Sequence, residues 1–148
     1  MAGLLRMWIK VEDDNTGELF AEFDAYEFSG RGSAWFQLNN LVGQAKDFAQ
    51  YPIFPANSPC INGGFWNVDA TEILEEHLHV SAYPTNPQGG VALFVRLALP
   101  RDDQNRPGLH CSASVELKAS YELLTKFSRD LESLASGNVT EIYFYESA

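Results

Sequence analysis

The sequence predicts a single α+β domain over residues 1–148, a mainly antiparallel, twisted sheet of about six strands with two amphipathic helices packed on one face. Three observations carry this expectation. Apolar residues alternate over several stretches of strand length, and they recur at helical spacing over two others. Runs rich in glycine, proline, asparagine and aspartate separate the stretches. With 148 residues, 45% of them hydrophobic and 13% aromatic, the chain is large enough to bury a core without covalent staples.

Leu5 to Val11 alternates, with Met7, Ile9 and Val11 on one side and Trp8 and Lys10 on the other. Glu12 to Gly17 is turn chemistry, ending in a glycine free to take positive φ. Glu18 to Phe28 interleaves aromatics with acids as a second strand returning on the first, and aromatics on both faces leave its core side unassigned. The stretch FSGRGSAWF, Phe28 to Phe36, lacks the third glycine of a dinucleotide fingerprint and the lysine of a P-loop. Trp35-Phe36-Gln37-Leu38 continues as strand, so the glycines are expected to mark a bend, a bulge or a close backbone approach.

Asn39-Asn40 offers N-cap chemistry to a helix whose stripe is Leu38, Leu41, Val42, Ala45, Phe48 and Ala49, and Pro52 stops it. Three prolines and two glycines between Pro52 and Asp69 predict a long irregular connection. A three-strand meander follows: Leu74 to Tyr83, Val91 to Leu99 and Leu109 to Lys118, with turns at PTNPQGG and PRDDQNRPG. Val91, Leu93, Val95, Leu97 and Leu99 share one face, as do Leu109, Cys111, Ala113, Val115 and Leu117. Ser120 caps a last helix with the stripe Tyr121, Leu124, Phe127, Leu131 and Leu134 and an i, i+4 pair, Glu122 and Lys126. Gly137 ends it, and Val139 to Tyr145 is a terminal strand. That strand and Leu5 to Val11 are the expected edges, open to pairing between subunits. Strand runs into helix twice, at AWFQLNNLVGQAKDF and SVELKASYELLTKF, a weak internal repeat.

Twenty acidic against ten basic residues give a net charge of -10. That field repels phosphate backbones and anionic membranes, which argues against nucleic-acid and membrane roles, and it attracts a basic protein partner. Solubility alone accounts for the same charge. Cys60 and Cys111 have neither metal-type spacing nor a disulfide context. The start, MAGLLRMWIK, has no apolar run of signal-peptide or membrane-spanning length, so a cytoplasmic location is the expectation.

Catalytic signatures are missing. No G-x-S-x-G elbow occurs, no serine or cysteine has a recognisable activating context, and Cys111 falls on the expected core side. No cofactor is implied. Glu75-Glu76-His77-Leu78-His79 places two imidazoles at i and i+2 of a strand, on one face, and His110 two strands away completes a zinc-type donor set. A metal-dependent enzyme or ligand-binding domain using His77, His79 and His110 is therefore the alternative function. Against it, Phe94 and Arg96 on the intervening strand separate or repel a cation. A solvated face of His77, His79, Ser81, Arg96, Ser112, Ser114 and Glu116 accounts for the same residues.

The 52–69 segment is the better candidate. Phe54, Phe65 and Trp66 in a proline- and glycine-rich connection form either an interface anchor or a lid on the core. Asp69, Glu72, Glu75 and Glu76 nearby would steer a basic partner. The reading is a non-enzymatic binding protein.

In order along the chain, Trp35-Phe36-Gln37-Leu38 with the Leu41/Phe48 helix, the strands HLHVSAY, VALFVRLAL and LHCSASVELK, and the helix YELLTKFSRDLESL resemble small bacterial α+β proteins of the WapI-type immunity family. The resemblance runs from Gly32 to Leu134 and is one of pattern order, with no short invariant motif and no site residue to carry over. It implies an immunity protein that neutralises a cognate toxin domain rather than catalysing a reaction.

Overall fold

The computed structural model describes residues 2–101 and 111–148. Among these residues the chain folds into two antiparallel four-stranded sheets rather than one sheet of about six strands. The first contains β1 (Leu4–Val11), β2 (Thr16–Ala25), β3 (Phe28–Gln37) and β8 (Glu141–Tyr145), in the order β3-β2-β1-β8. The second contains β4 (Cys60–Trp66), β5 (Ile73–Pro84), β6 (Val91–Ala98) and β7 (Ser112–Ala119), in sequential order. Helix α1 (Leu38–Lys46) follows β3, and α2 (Tyr121–Ala135) follows β7. No described helix is long and apolar enough to cross a membrane.

Period-two alternation sets which face of each strand is buried. Leu5 and Met7 on β1 pair with Phe23 and Ala21 on β2, all four buried, so the inner side of β2 is Leu19, Ala21, Phe23 and Ala25. Phe20 points outward.

The glycine-rich stretch is β3 itself. Its register with β2 is unbroken from Thr16–Gln37 to Ala25–Phe28, so there is no bulge. The glycines serve close approach. Gly30, Gly32, Ala34 and Phe36 line the inner face, and β3 touches every strand of the second sheet, which a strand can do only by running across them. A methyl group at Gly32 would lie 2.8 Å from the His77 carbonyl oxygen and 3.2 Å from the Ala98 amide nitrogen. Those neighbours are backbone and cannot swing aside.

The helices lie on the inner face of the first sheet, beside the second sheet. They pack on each other, and α2 lies against β8 and β1. Phe127 of α2 meets Phe48 and Phe144 edge-on, at centroid separations of 5.2 and 5.8 Å. Each buried ring contributes about 1.5–3 kcal/mol by leaving water, and each edge-on pair about 0.5–1.5 kcal/mol more. Ser128, buried on the same face, donates to the Ala45 carbonyl at 2.7 Å and ties the helices together.

Other expectations are corrected locally. Gln37, not Asn39 or Asn40, is the N-cap of α1, and the Asn15 carbonyl accepts from the Leu38 amide in place of a side-chain cap. Ser120 caps α2 as expected, accepting from Leu123, and Gly137 ends it with φ +81°. Lys126 bonds Asp130 at 2.6 Å rather than Glu122. The segment 52–69 is not irregular throughout, because Cys60–Trp66 is a strand. Cys111 and Leu99 are exposed, where alternation placed them inward. Leu109 and most of the PRDDQNRPG turn lie outside the described residues. The strands near the two ends of the chain, expected as separate edges, pair with each other from Leu4–Tyr145 to Trp8–Glu141, so β1 is interior.

Replacing Gly32 by alanine is expected to lower unfolding free energy by about 1–3 kcal/mol in urea titration, the usual cost of overpacking. Gly43 in α1 has open space around its Cβ position. Alanine there is expected to raise stability by about 0.5–1 kcal/mol through helix propensity alone.

Candidate interaction site

The site begins in two irregularities of the β4–β5 hairpin. Gly63 stands opposite Leu78 and Gly64 opposite Glu76, so His77 is an extra residue without a cross-strand partner. Further on, Phe65 faces Glu75 and Trp66 faces Ile73, which leaves Leu74 extra. Bulges of this kind break the simple alternation of side chains. Gly64 is required, because any Cβ there would strike the Glu75 carbonyl oxygen.

Beyond Trp66 the connection is built on Asn67. Its Oδ1 accepts from the amides of Thr71 and Glu72 at 2.9 and 3.2 Å, and its Nδ2 donates to the Thr71 hydroxyl at 3.0 Å. This turn holds a set of exposed apolar side chains at the hairpin tip: Phe65, Trp66, Val68 and Leu74, with Trp66 41% exposed and Val68 fully so. Asp69 and Glu72 are exposed beside them. Phe65, Trp66 and Leu74 line an open depression of about 620 Å³ with Gly64, Glu75 and Arg101. Phe65 and Trp66 are neither a lid nor fully free; each lies half against the sheet, and Phe65 meets the His77 ring edge-on at 4.6 Å.

Phe54 does not join them. It lines a different groove with Tyr51, Tyr121 and the Pro84–Gly89 turn. Trp66 pairs near the start of β5 and Pro84 ends it, and twelve residues of strand span roughly 36–40 Å.

Two of the four expected steering acids are also spent elsewhere. Glu75 lies 2.8 Å from His77 Nε2 and accepts from the Arg101 amide at 2.9 Å. Burial pushes its carboxyl pKa upward, but these two hydrogen bonds, with the charge of His77 and Arg101, outweigh that and hold it below the usual range. Glu76 accepts from Asn62 Nδ2 at 3.1 Å, lies 3.2 Å from His79 Nδ1 and faces Arg96 at 3.9 Å. Asp69 and Glu72 remain open to solvent.

The histidines part company. His77 is only 3% exposed, not on the solvated face, while His79, Arg96, Ser114 and Glu116 occupy that face in register, with Ser81 beside them but buried. Each imidazole has its own carboxylate. His110 lies outside the described residues, and among the described residues no three His, Cys, Asp or Glu side chains gather as a metal site.

A relay that the sequence did not disclose runs from Ser81 to His79 Nε2 at 3.1 Å and from His79 Nδ1 to Glu76. Its connectivity is that of a serine, a base and an orienting acid. The backbone amides of β5 beside it are taken up by the ladders to β4 and β6, between which the strand lies. Neighbouring Cys60 is no better placed as a nucleophile: burial, with Glu76 nearby, pushes its thiol up to about 11. The relay satisfies polar groups on a sheet face.

No family model, curated protein or solved structure matches this chain.

Because the folded Glu75 pKa lies below its ordinary value of 4.5, the carboxylate stabilises the fold above that value. The stabilisation is lost as pH falls through the depressed folded value. The stability gap between the parent and Glu75→Gln, measured by urea titration, is expected to narrow as pH falls from about pH 5 to pH 3. A gap independent of pH over that range would contradict the assignment.

Proposed function

We propose that the chain is a non-enzymatic binding protein that docks a basic protein domain through the β4–β5 tip. In line with the family resemblance, it acts as an immunity protein neutralising a toxin domain. The observation that carries this reading is the exposed group Phe65, Trp66, Val68 and Leu74 flanked by Asp69 and Glu72. Aromatic anchors beside charges match the division of labour at protein interfaces. A few apolar side chains hold most of the binding energy, and charge sets the encounter rate. The internal hydrogen bonds of the Asn67 turn support it further, since a preordered tip loses less entropy on binding. The overall charge of -10 favours a basic partner.

The test is binding to the product of a neighbouring gene, by calorimetry at low and high salt. Trp66→Ala is expected to weaken binding at least tenfold, corresponding to a loss of about 1.4 kcal/mol or more. Asp69→Asn with Glu72→Gln slows association and reduces its salt dependence. Phe54→Ala leaves affinity unchanged. Absence of binding at both salt concentrations would overturn the proposal.

A further inference from the structure

The outer face of the first sheet carries a second concentration of interface-type side chains. In every strand the residues alternating with the core point to this face, and none of them is buried. Neither helix covers it among the described residues. At its centre Trp8 and Phe20, directly opposite on β1 and β2, stack with ring centroids 5.4 Å apart and planes 4° from parallel. The guanidinium groups of Arg6 and Arg31 sit 4.4 and 5.2 Å from the Trp8 ring centroid. Trp35, 53% exposed, flanks the stack on β3, and Tyr143 and Tyr145 extend the aromatic surface across β8. Trp, Tyr and Arg are the residue types that dominate binding energy at protein interfaces.

Charge selects the occupant. Arg6 is clamped by Glu22 at 3.1 Å and Glu141 at 2.8 Å, so its charge is balanced within the face. The β1–β2 turn at one end adds exposed Glu12, Asp13 and Asp14, and the β2–β3 turn at the other adds Glu27. A cation-balanced aromatic centre between two acidic ends fits a protein that brings an apolar patch flanked by lysines or arginines. Single-stranded nucleic acid also stacks on aromatic and arginine platforms, but its phosphates would face these acidic ends. A second copy of the chain would bring acid against acid. Size sharpens the point. Four strands about 4.8 Å apart and four alternate-residue rows about 6.8 Å apart give roughly 500 Å² of flat sheet. A stable interface takes about 800 Å² per partner, so the acidic turns must take part.

We propose that the outer face of the β3-β2-β1-β8 sheet is a second docking surface for a basic protein, centred on Trp8, Phe20 and Trp35 and independent of the β4–β5 tip. It rests on the reading that the partner is basic and differs in where the contact lies.

The test is a nitrogen-15 NMR titration with cytochrome c as a basic protein probe at low ionic strength. Parallel arms use a single-stranded oligothymidine and simple dilution of the chain. The expected result is a set of amide shifts confined to β1, β2, β3, β8 and their turns, abolished at about 0.5 M salt, where the Debye length is only a few ångströms. Trp35→Ala and Tyr143→Ala, both at exposed positions, are each expected to raise the dissociation constant at least fivefold, and Phe54→Ala, exposed but outside both surfaces, to leave it unchanged. Shifts confined to residues 65–74 would overturn the second surface while leaving the basic-partner reading intact. No shifts at any probe concentration would overturn it too, the tip then being judged by its own partner. Shifts from the oligothymidine instead would make the face a nucleic-acid platform, and shifts on dilution would make it a self-association surface.

Discussion

The architecture depends on one close contact: the backbone of β3 lying across the second sheet at Gly30 and Gly32. At Gly32 the space that a Cβ would fill is bounded by the backbone of His77 and Ala98, and at Gly30 by the Ala113 methyl and the Phe23 ring. Small residues at these alternate positions let one edge of the first sheet settle onto all four strands of the second. At the other edge α2 packs on β8 and β1 and α1 packs on α2. The helices therefore fill the first sheet's inner face beyond β3 instead of forming a separate layer outside it. Phe48, Phe127 and Phe144 make that filling continuous with the core of both sheets.

The same contact reaches the candidate site. The carbonyl above Gly32 belongs to His77, the extra residue of the β5 bulge. With that backbone fixed, the His77 ring is buried against Glu75 and Phe65, and Leu74 lies on the outside of the tip. Glu75 and Glu76 then become internal acceptors, and the exposed acids that remain beside the aromatics are Asp69 and Glu72. The tip and the outer sheet face each join exposed aromatics to acidic flanks, the two ingredients of the proposed binding role.

Much of this was legible in the sequence, and the losses have identifiable causes. Alternation located the strands of both sheets except β4, and helical spacing located both helices with the Ser120 cap and the Gly137 stop. Alternation gives no account of which sheet a strand joins, so two four-stranded sheets read as one of about six. Strand β4 was hidden because Gly63 and Gly64 resemble loop residues. Their role is to pass close to Ala34, Phe36 and Glu75, a long-range fact with no local mark. The bulge at His77 defeated the inference that residues i and i+2 share a face, and with it the pairing of His77 with His79. Phe54 was grouped with Trp66 by sequence distance, although one end of β5 carries each. The outer face of the first sheet was half visible: Trp8 and Lys10 stood opposite the core side of β1, but the aromatics on both faces of β2 concealed that Phe20 joins them.

The central claim is that β3 crosses the second sheet in backbone contact, and proton–proton Overhauser spectroscopy tests it most directly. A strong cross-peak between the Gly32 α-protons and the Ala98 amide proton is expected, together with one from the Gly63 α-protons to the Phe36 ring. If β3 showed such contacts only to β2, with none to β4, β5, β6 or β7, the account of the fold and of the site it positions would be contradicted.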